Sequence, residues 1–223
     1  MTADDGVSRE TTGLPDWLAD QRPTLEAFAA LLADVGVTRG LIGPREVPRL
    51  WQRHLLNCAV VVDPDHAIVA SKARVADVGS GAGLPGLVWA IVRPDLEVVL
   101  IEPLLRRSTF LTEAITSLGL EGRVSVRRDR AEDIARDPQW RGVDVVTARA
   151  VAPLDRLVGW TTPLLAAGGT LVALKGSSAQ EEVTAAAPAA AAAGLVDVRV
   201  RELGAAYLEQ PTTVITAIRR AAE

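Results

Sequence analysis

The residues best equipped for chemistry stand at the end of one short apolar run. Val75-Ala76-Asp77-Val78 leads into Gly79-Ser80-Gly81-Ala82-Gly83-Leu84-Pro85-Gly86. The spacing predicts a strand, a glycine-rich turn and then a helix. Glycines in such a turn admit positive φ and let a ligand approach the backbone closely. The helix N-terminus adds free N–H groups and a partial positive charge. Asp77 sets a carboxylate at the end of this strand, Glu102 ends the next apolar run, and Arg149 and Lys175 follow later ones. No two of these groups read as a proton-transfer couple, so the pattern points to binding and positioning rather than general acid–base work.

Two ligand classes fit the turn. Gly81-x-Gly83-x-x-Gly86 matches the dinucleotide pattern, with Glu102 about twenty residues on as the ribose ligand. Asp77-x-Gly79-x-Gly81-x-Gly83 is similar to the loop of class I methyltransferases, which bind S-adenosylmethionine. A carboxylate at Asp77 would repel a pyrophosphate and attract the ammonium and sulfonium of S-adenosylmethionine. Pro85 removes an N–H near the helix start, a poor choice for a phosphate cradle. The methyltransferase reading is therefore expected, with Glu102 on the ribose hydroxyls in either case. Asp129-Arg130-Ala131-Glu132 follows the third apolar run, where adenine contacts are expected.

These residues need a sheet to hold them. Apolar runs at Val75–Val78, Val98–Ile101, Val124–Val126, Val143–Thr147 and Thr170–Leu174 alternate with helical stretches, which implies parallel strands with right-handed crossovers. Two closing strands, Val196–Leu203 and Thr213–Ile218, are joined by a turn short enough for an antiparallel pair. The helix over Ala179–Ala193 should kink or break at Pro188. Upstream, Leu25, Phe28, Leu31, Leu32 and Val35 repeat at helical spacing, and a second helix is expected from Pro44 to about Val62. The five tryptophans read as core by spacing. The expected organisation is a disordered tail over 1–13, an N-terminal helical extension over 14–73, and a domain over 74–223 packed with it as one unit. The fold class is α/β, Rossmann-like, a seven-stranded and mostly parallel sheet.

Composition bounds the rest. The 223 residues are 48% apolar, near the globular average, which argues against a largely disordered chain. One cysteine, Cys58, rules out a disulfide framework, and with only His54 and His66 beside it no zinc site is expected. No metal is expected at all. The polar, acidic start does not read as a signal peptide, and no apolar run is long enough to span a membrane, so a cytoplasmic protein is expected. A net charge of −4 argues against coating nucleic acid by bulk charge, but leaves room for a local basic patch. Arg45, Arg49 and Arg53 recur every four residues, with His54 beside them; on a helix this makes one face suited to phosphates. Lys72 and Lys175 are the only lysines in a chain that otherwise writes its cations as arginine. A lysine here is expected where arginine does not fit.

Taken together, Asp77 to Gly86, Ile101-Glu102-Pro103 with Arg106-Arg107 and Phe110-Leu111, Thr147-Ala148-Arg149-Ala150 and Ala173-Leu174-Lys175-Gly176 resemble the bacterial small-subunit rRNA methyltransferase G family, also called glucose-inhibited division protein B. Arg53-His54-Leu55-Leu56-Asn57 fits that family's Arg-His-x-x-Asp segment, and Asn57-Cys58 stand where many members carry Asp-Ser. The resemblance spans about residues 39 to 220. It implies methylation of guanine N7 in 16S rRNA, or in a small-subunit particle, by S-adenosylmethionine, with S-adenosylhomocysteine as product. It implies cofactor contacts at Gly79 and Leu84, at Ala131 and Glu132, and at Arg149. Arg149 and Lys175 are expected to orient the guanine, its phosphate or, for Arg149, the cofactor. The chain is expected to act as a monomer. A small-molecule methyltransferase on the same fold would not need the Arg45/Arg49/Arg53 face.

Overall fold

Runs rich in β-branched residues, each closed by a glycine, proline or charged turn, form seven strands in the computed structural model, which describes residues 14–221. The tail expected over 1–13 lies outside the described residues. The strands are β1 (Arg74–Val78), β2 (Glu97–Ile101), β3 (Val124–Arg127), β4 (Val143–Arg149), β5 (Leu165–Lys175), β6 (Leu195–Leu203) and β7 (Thr212–Arg219). They make one sheet in the order β3-β2-β1-β4-β5-β7-β6. The first five are parallel, and β7 runs antiparallel to both β5 and β6.

Alternation along the strands divides the core into two layers. Val75 of β1, Val145 of β4, and Val172 and Leu174 of β5 face one layer, shared with Phe28, Trp51, Trp89 and Phe110. Ala76 and Val78 of β1, Val146 and Ala148 of β4, and Leu171 and Ala173 of β5 face the other, shared with Ile134, Leu157, Val158 and Ala186. Helices α1 (Arg22–Leu31), α2 (Gly86–Val92) and α3 (Leu105–Ser117) cover the first layer. Helices α4 (Ala131–Ile134), α5 (Leu154–Thr161) and α6 (Ala179–Ala192) cover the second. Trp51 and Trp89 are fully buried, while Trp17, Trp140 and Trp160 pack against the core from its margin.

Three expectations need correction. The stretch 44–62 is not one regular helix. It runs as tight three-residue turns over Pro44–Arg49, wide turns over Leu50–Leu56, one ordinary turn over Asn57–Ala59 and tight turns again over Val60–Val62. Pro48, inside the first stretch, has no N–H to donate, so regular α geometry does not develop there. By contrast α6 runs through Pro188. Pro188 and Thr184, whose carbonyl has no N–H to meet at Pro188, are both solvent-exposed. Finally, β5 begins at Leu165, five residues before Thr170, and its pairing with β4 shifts register between Val143 and Val145.

The segment 44–62 is fastened to the sheet by specific bonds. The buried Trp89 indole N–H donates to the Cys58 carbonyl at 3.0 Å. Asn57 Nδ2 donates to Thr212 Oγ1 at 2.7 Å, and that hydroxyl donates back to the Asn57 carbonyl at 2.9 Å. This ties the helical segment to β7 and gives the Asn57 side chain a definite partner. No helix among the described residues is long and apolar enough to cross a membrane.

Candidate active site

The glycine turn lies where β1 meets α2, at the carboxyl edge of the sheet. Its backbone is tightly folded, with φ of +71° at Gly79, +55° at Gly81 and +89° at Gly83. Nearly all of its N–H groups are already used. Gly79 and Ser80 donate to the Ile101 carbonyl, and Gly83 and Leu84 donate to the Ser80 carbonyl. Gly81 donates to Glu102 Oε2 at 3.0 Å and Gly86 to Asp77 Oδ2 at 3.0 Å. Pro85 has no N–H to give. Among the described residues, no donor reaches the carbonyl oxygens of Gly79 and Gly81. A Cβ built on Gly81 would meet only the Gly79 carbonyl, at 3.8 Å, so the space before the turn is open. A loop whose amides are spent and whose carbonyls are free suits an ammonium or sulfonium group and cannot cradle a pyrophosphate. The residues present therefore fit S-adenosylmethionine and not a dinucleotide.

The two acids brace this turn from below. Asp77 is fully buried. It does not face the ligand space as the sequence led us to expect; its Oδ2 takes the Gly86 N–H, and a Cβ on Gly86 would stand 2.7 Å from that same oxygen. Its Oδ1 is buried with no hydrogen-bond partner. Burial pushes the Asp77 carboxyl up to about 7, opposed by the Gly86 amide. Glu102 is 2% exposed and takes the Gly81 N–H on Oε2 and the Leu104 N–H on Oε1 at 3.0 Å. Each oxygen keeps a second lone pair. Ala131 and Glu132 open α4 just past β3, and Leu84 lies in the glycine turn, buried on its inner side.

Beside this turn, over the ends of β4, β5 and β7, lies a cleft of about 1130 Å³. Its walls are the segment 44–62, the loop after β4, the end of β5 and the turn before β7. Arg49, Arg53, His54, Arg149 and Lys175 line it, together with the acids Glu46, Glu182, Glu202 and Glu209. Arg149 reaches from the end of β4 to the helical segment. Its guanidinium donates to Cys58 Sγ at 3.1 Å and the Arg53 carbonyl at 3.0 Å, and lies 2.8 Å from His54 Nδ1. His54 Nε2 in turn lies 3.0 Å from Glu46 Oε2. Arginine is always a donor, so His54 Nδ1 accepts and its Nε2–H donates to Glu46. Burial and then the Arg149 charge hold the His54 imidazole below its ordinary value, against the pull of Glu46. Burial pushes the Cys58 thiol up, which keeps it protonated.

Lys175 differs from expectation. Its Nζ donates to the Ala152 carbonyl and to Glu182 Oε2, both at 2.7 Å, and its side chain is 9% exposed. Glu182 also takes the Leu154 N–H. Lys175 thus pins the loop after β4, at the wall of the cleft. In that loop Ala150 has φ of +54°, and Val151 packs on Gly79.

The structure gathers Gly79, Gly81, Gly83, Leu84, Glu102, Ala131 and Glu132 along the carboxyl edge of β1 to β3, and Arg49, Arg53, His54, Arg149 and Lys175 around the cleft. Arg45 does not join them: it is exposed and outside the cleft lining. Three-residue turns over Pro44–Arg49 rotate Arg45 about 120° away from Arg49, where an α-helix would have kept them together. His54 is not a free phosphate ligand either, since both ring nitrogens are engaged. Sequence reasoning missed Glu46, Cys58, Val151 and Glu182. Only Glu182 left a signal, as the first-turn acid of the helix that follows the Lys175 strand end. Among the described residues no three His, Cys, Asp or Glu converge as a metal site.

Comparison with known proteins agrees with this geometry. The profile of a family described as rRNA small subunit methyltransferase G matches residues 21–211. A curated relative from Nocardioides sp., named Ribosomal RNA small subunit methyltransferase G, is 52% identical over 219 residues, covering 96% of this chain and 84% of the relative. A relative of the same name from Salinispora tropica is 54% identical over 198 residues, covering 86% of this chain and 79% of its own. Among solved structures, a SAM-dependent O-methyltransferase from Thermotoga maritima superposes with a TM-score of 0.56 at 15% identity, over 80% of this chain and 71% of that one. At that identity the likeness is one of fold, the class I methyltransferase sheet.

Proposed function

We infer how the site works in a chain that belongs to the rRNA small subunit methyltransferase G family. The chain is an S-adenosylmethionine-dependent rRNA methyltransferase, and our reading is that it methylates N7 of a guanine in 16S rRNA. One juxtaposition carries this: free carbonyls at Gly79 and Gly81 stand beside a cleft lined by Arg49, Arg53 and Arg149.

S-adenosylmethionine, when bound, supplies a methyl group on a sulfonium. The Gly79 and Gly81 carbonyls would accept from its ammonium and Glu102 from the ribose, Leu84 would support the turn that holds it from the inner side, and Ala131 and Glu132 would stand at the adenine. Gly83 and Asp77 shape the turn. Guanine N7 has a lone pair and no proton, so the chain needs no general base. Its task is to hold N7 in line with the methyl carbon, and such positioning supplies ~7–11 kcal/mol of a barrier. Arg149 stands at the boundary of the cofactor turn and the cleft and orients the reacting groups. Lys175 fixes the loop that follows Arg149. Arg49 and Arg53 take phosphates, which dock the RNA without reading its sequence. In this reading 14–73 is an extension whose segment 44–62 supplies one wall of the RNA cleft, and 74–223 is the methyltransferase domain. The protein acts in the cytoplasm as a monomer.

Transfer of labelled methyl to small-subunit particles, with mapping of the modified base, tests the reading. A label at N7 of one guanine supports it. A label on another atom, or transfer only to small molecules, overturns it.

A further inference from the structure

Arg149 is held by groups that lie far from it in sequence, and one of them is a histidine. The His54 ring stands between Arg149 and Glu46, with Nδ1 2.8 Å from Arg149 and Nε2 3.0 Å from Glu46 Oε2. Its side chain is 14% exposed. Only one protonation state satisfies both contacts, the neutral ring carrying its proton on Nε2. A second proton would place N–H against N–H at Arg149 and set two cations together.

We propose that His54 is a positioning residue for Arg149, and that the enzyme is competent only while this ring is the neutral Nε2–H tautomer held by Glu46. The proposal rests on the reading of Arg149 as an orienting group in methyl transfer. The charged and titratable groups around the ring are Glu46, Arg49, Arg53 and Cys58 on its own segment and Arg149 on β4. Across the cleft stand Lys175 with Glu182, and Glu202 and Glu209. Nearest are Arg149 and Arg53, which oppose a proton on the ring, and Glu46, which favours one. Burial adds to the two arginines, so the ring stays neutral at pH 7 and charges only below the ordinary histidine range.

Activity is present above the His54 pKa and lost as pH falls through it. Replacing Glu46 with glutamine removes the pull that favours the proton, so the acid limb moves to lower pH. Two near-isosteres separate positioning from general damage. Asparagine places an amide oxygen where Nδ1 stands, whereas glutamine places its polar end near Nε2. His54→Asn should keep kcat within a fewfold and lose the acid limb. His54→Gln should lower kcat on the order of 10–100-fold, since small misplacement costs that much. The salt dependence of RNA binding should not move in either, because His54 touches no phosphate in this account.

A direct readout is independent of catalysis. The chain has only two histidines, His54 and His66. Nitrogen-15 shifts of the imidazoles across pH 4.5–8, with His54→Asn to assign the signal, should give one ring with the Nε2–H pattern that titrates below about 6.5. An Nδ1–H tautomer for His54, or titration at or above that value, overturns the proposal. So does an acid limb that persists unchanged in His54→Asn, or equal kcat in the asparagine and glutamine variants. If the parent protein transfers no methyl to the particle, the functional reading fails while the tautomer measurement still decides the geometry.

Discussion

Val151 closes over the α-carbon of Gly79. A methyl group built on Gly79 would stand 2.7 Å from Val151 Cγ2. The turn that faces the cofactor space and the loop that follows Arg149 are therefore in direct contact.

Gly79→Ala should accordingly fail in two ways. The left-handed φ of +71° costs ~1–3 kcal/mol in a non-glycine residue, and the methyl collides with Val151. Tm should drop and S-adenosylmethionine should bind at least tenfold more weakly, on the order of 1.4 kcal/mol. Adding Val151→Ala should restore part of the loss. Gly81→Ala should lower Tm less, because no side chain lies within reach of its Cβ, yet still weaken the cofactor. Thermal melts with and without S-adenosylmethionine, and titration calorimetry, measure both.

Asp77 makes stability depend on pH in an unusual direction. Its folded value of about 7 lies above the unfolded carboxyl value of about 3.9. Between those limits the folded chain holds more protons here than the unfolded chain, so this site's contribution is full below about pH 4 and is lost as pH rises through about 7. Asp77→Asn keeps an oxygen for the Gly86 N–H and removes the titration. Urea melts from pH 5 to 8 should show the variant gaining on the parent as pH rises; a constant difference would rule out the shift. Asp77→Ala, which strands a buried N–H, should cost ~1–3 kcal/mol.

Lys175 should be irreplaceable by arginine. One ammonium meets Ala152 O and Glu182 Oε2 at 2.7 Å each, a convergence that a planar fork cannot reproduce. Lys175→Arg and Lys175→Met should both lower kcat, and the methionine variant should lose ~1–3 kcal/mol, discounted from fully buried pairs because Glu182 is partly exposed. Chemical denaturation and single-turnover kinetics provide the comparison. Full activity in Lys175→Arg would sink this account.

The three arginines of the segment 44–62 should divide. Arg49→Ala with Arg53→Ala should reduce the log–log salt slope of RNA binding by roughly 1.4–1.8, at ~0.7–0.9 per phosphate contact. Arg45→Ala should leave it unchanged, since Arg45 is outside the cleft. Filter binding from 50 to 200 mM salt reads the slope. An equal effect from Arg45 would place the RNA along the whole segment.

Much of the sheet could be read from the sequence, because period-two alternation and strand-end glycines are local signals. The start of β5 could not. A Cβ built on Gly169 would stand 3.0 Å from the backbone carbonyls of Val143 and Asp144, and only the folded sheet reveals that approach. The glycine turn announced itself, but the direction of Asp77 did not: a carboxylate at a strand end faces outward or inward according to what packs below it. Arg149 is the clearest limit. Its partner His54 is 95 positions away, and nothing local to either residue specifies the contact. The Arg45/Arg49/Arg53 repeat misled because Pro48 tightens the turns that a regular helix would have kept open.

The place of β7 bears on how the chain comes to be made. It is seventh along the polypeptide yet sixth across the sheet, between β5 and β6. During synthesis from the N-terminus, β1 to β5 can pair as each leaves the ribosome, but β6 emerges with no neighbour to join. Until Thr212–Arg219 follows, β5 keeps a row of unpaired N–H and C=O groups toward solvent. Asn57 also waits, because its partner Thr212 arrives with the same strand. A ribosome paused between β6 and β7 therefore carries a nascent chain with one bare sheet margin and an unfastened cleft wall, the form most exposed to chaperones and to misassembly.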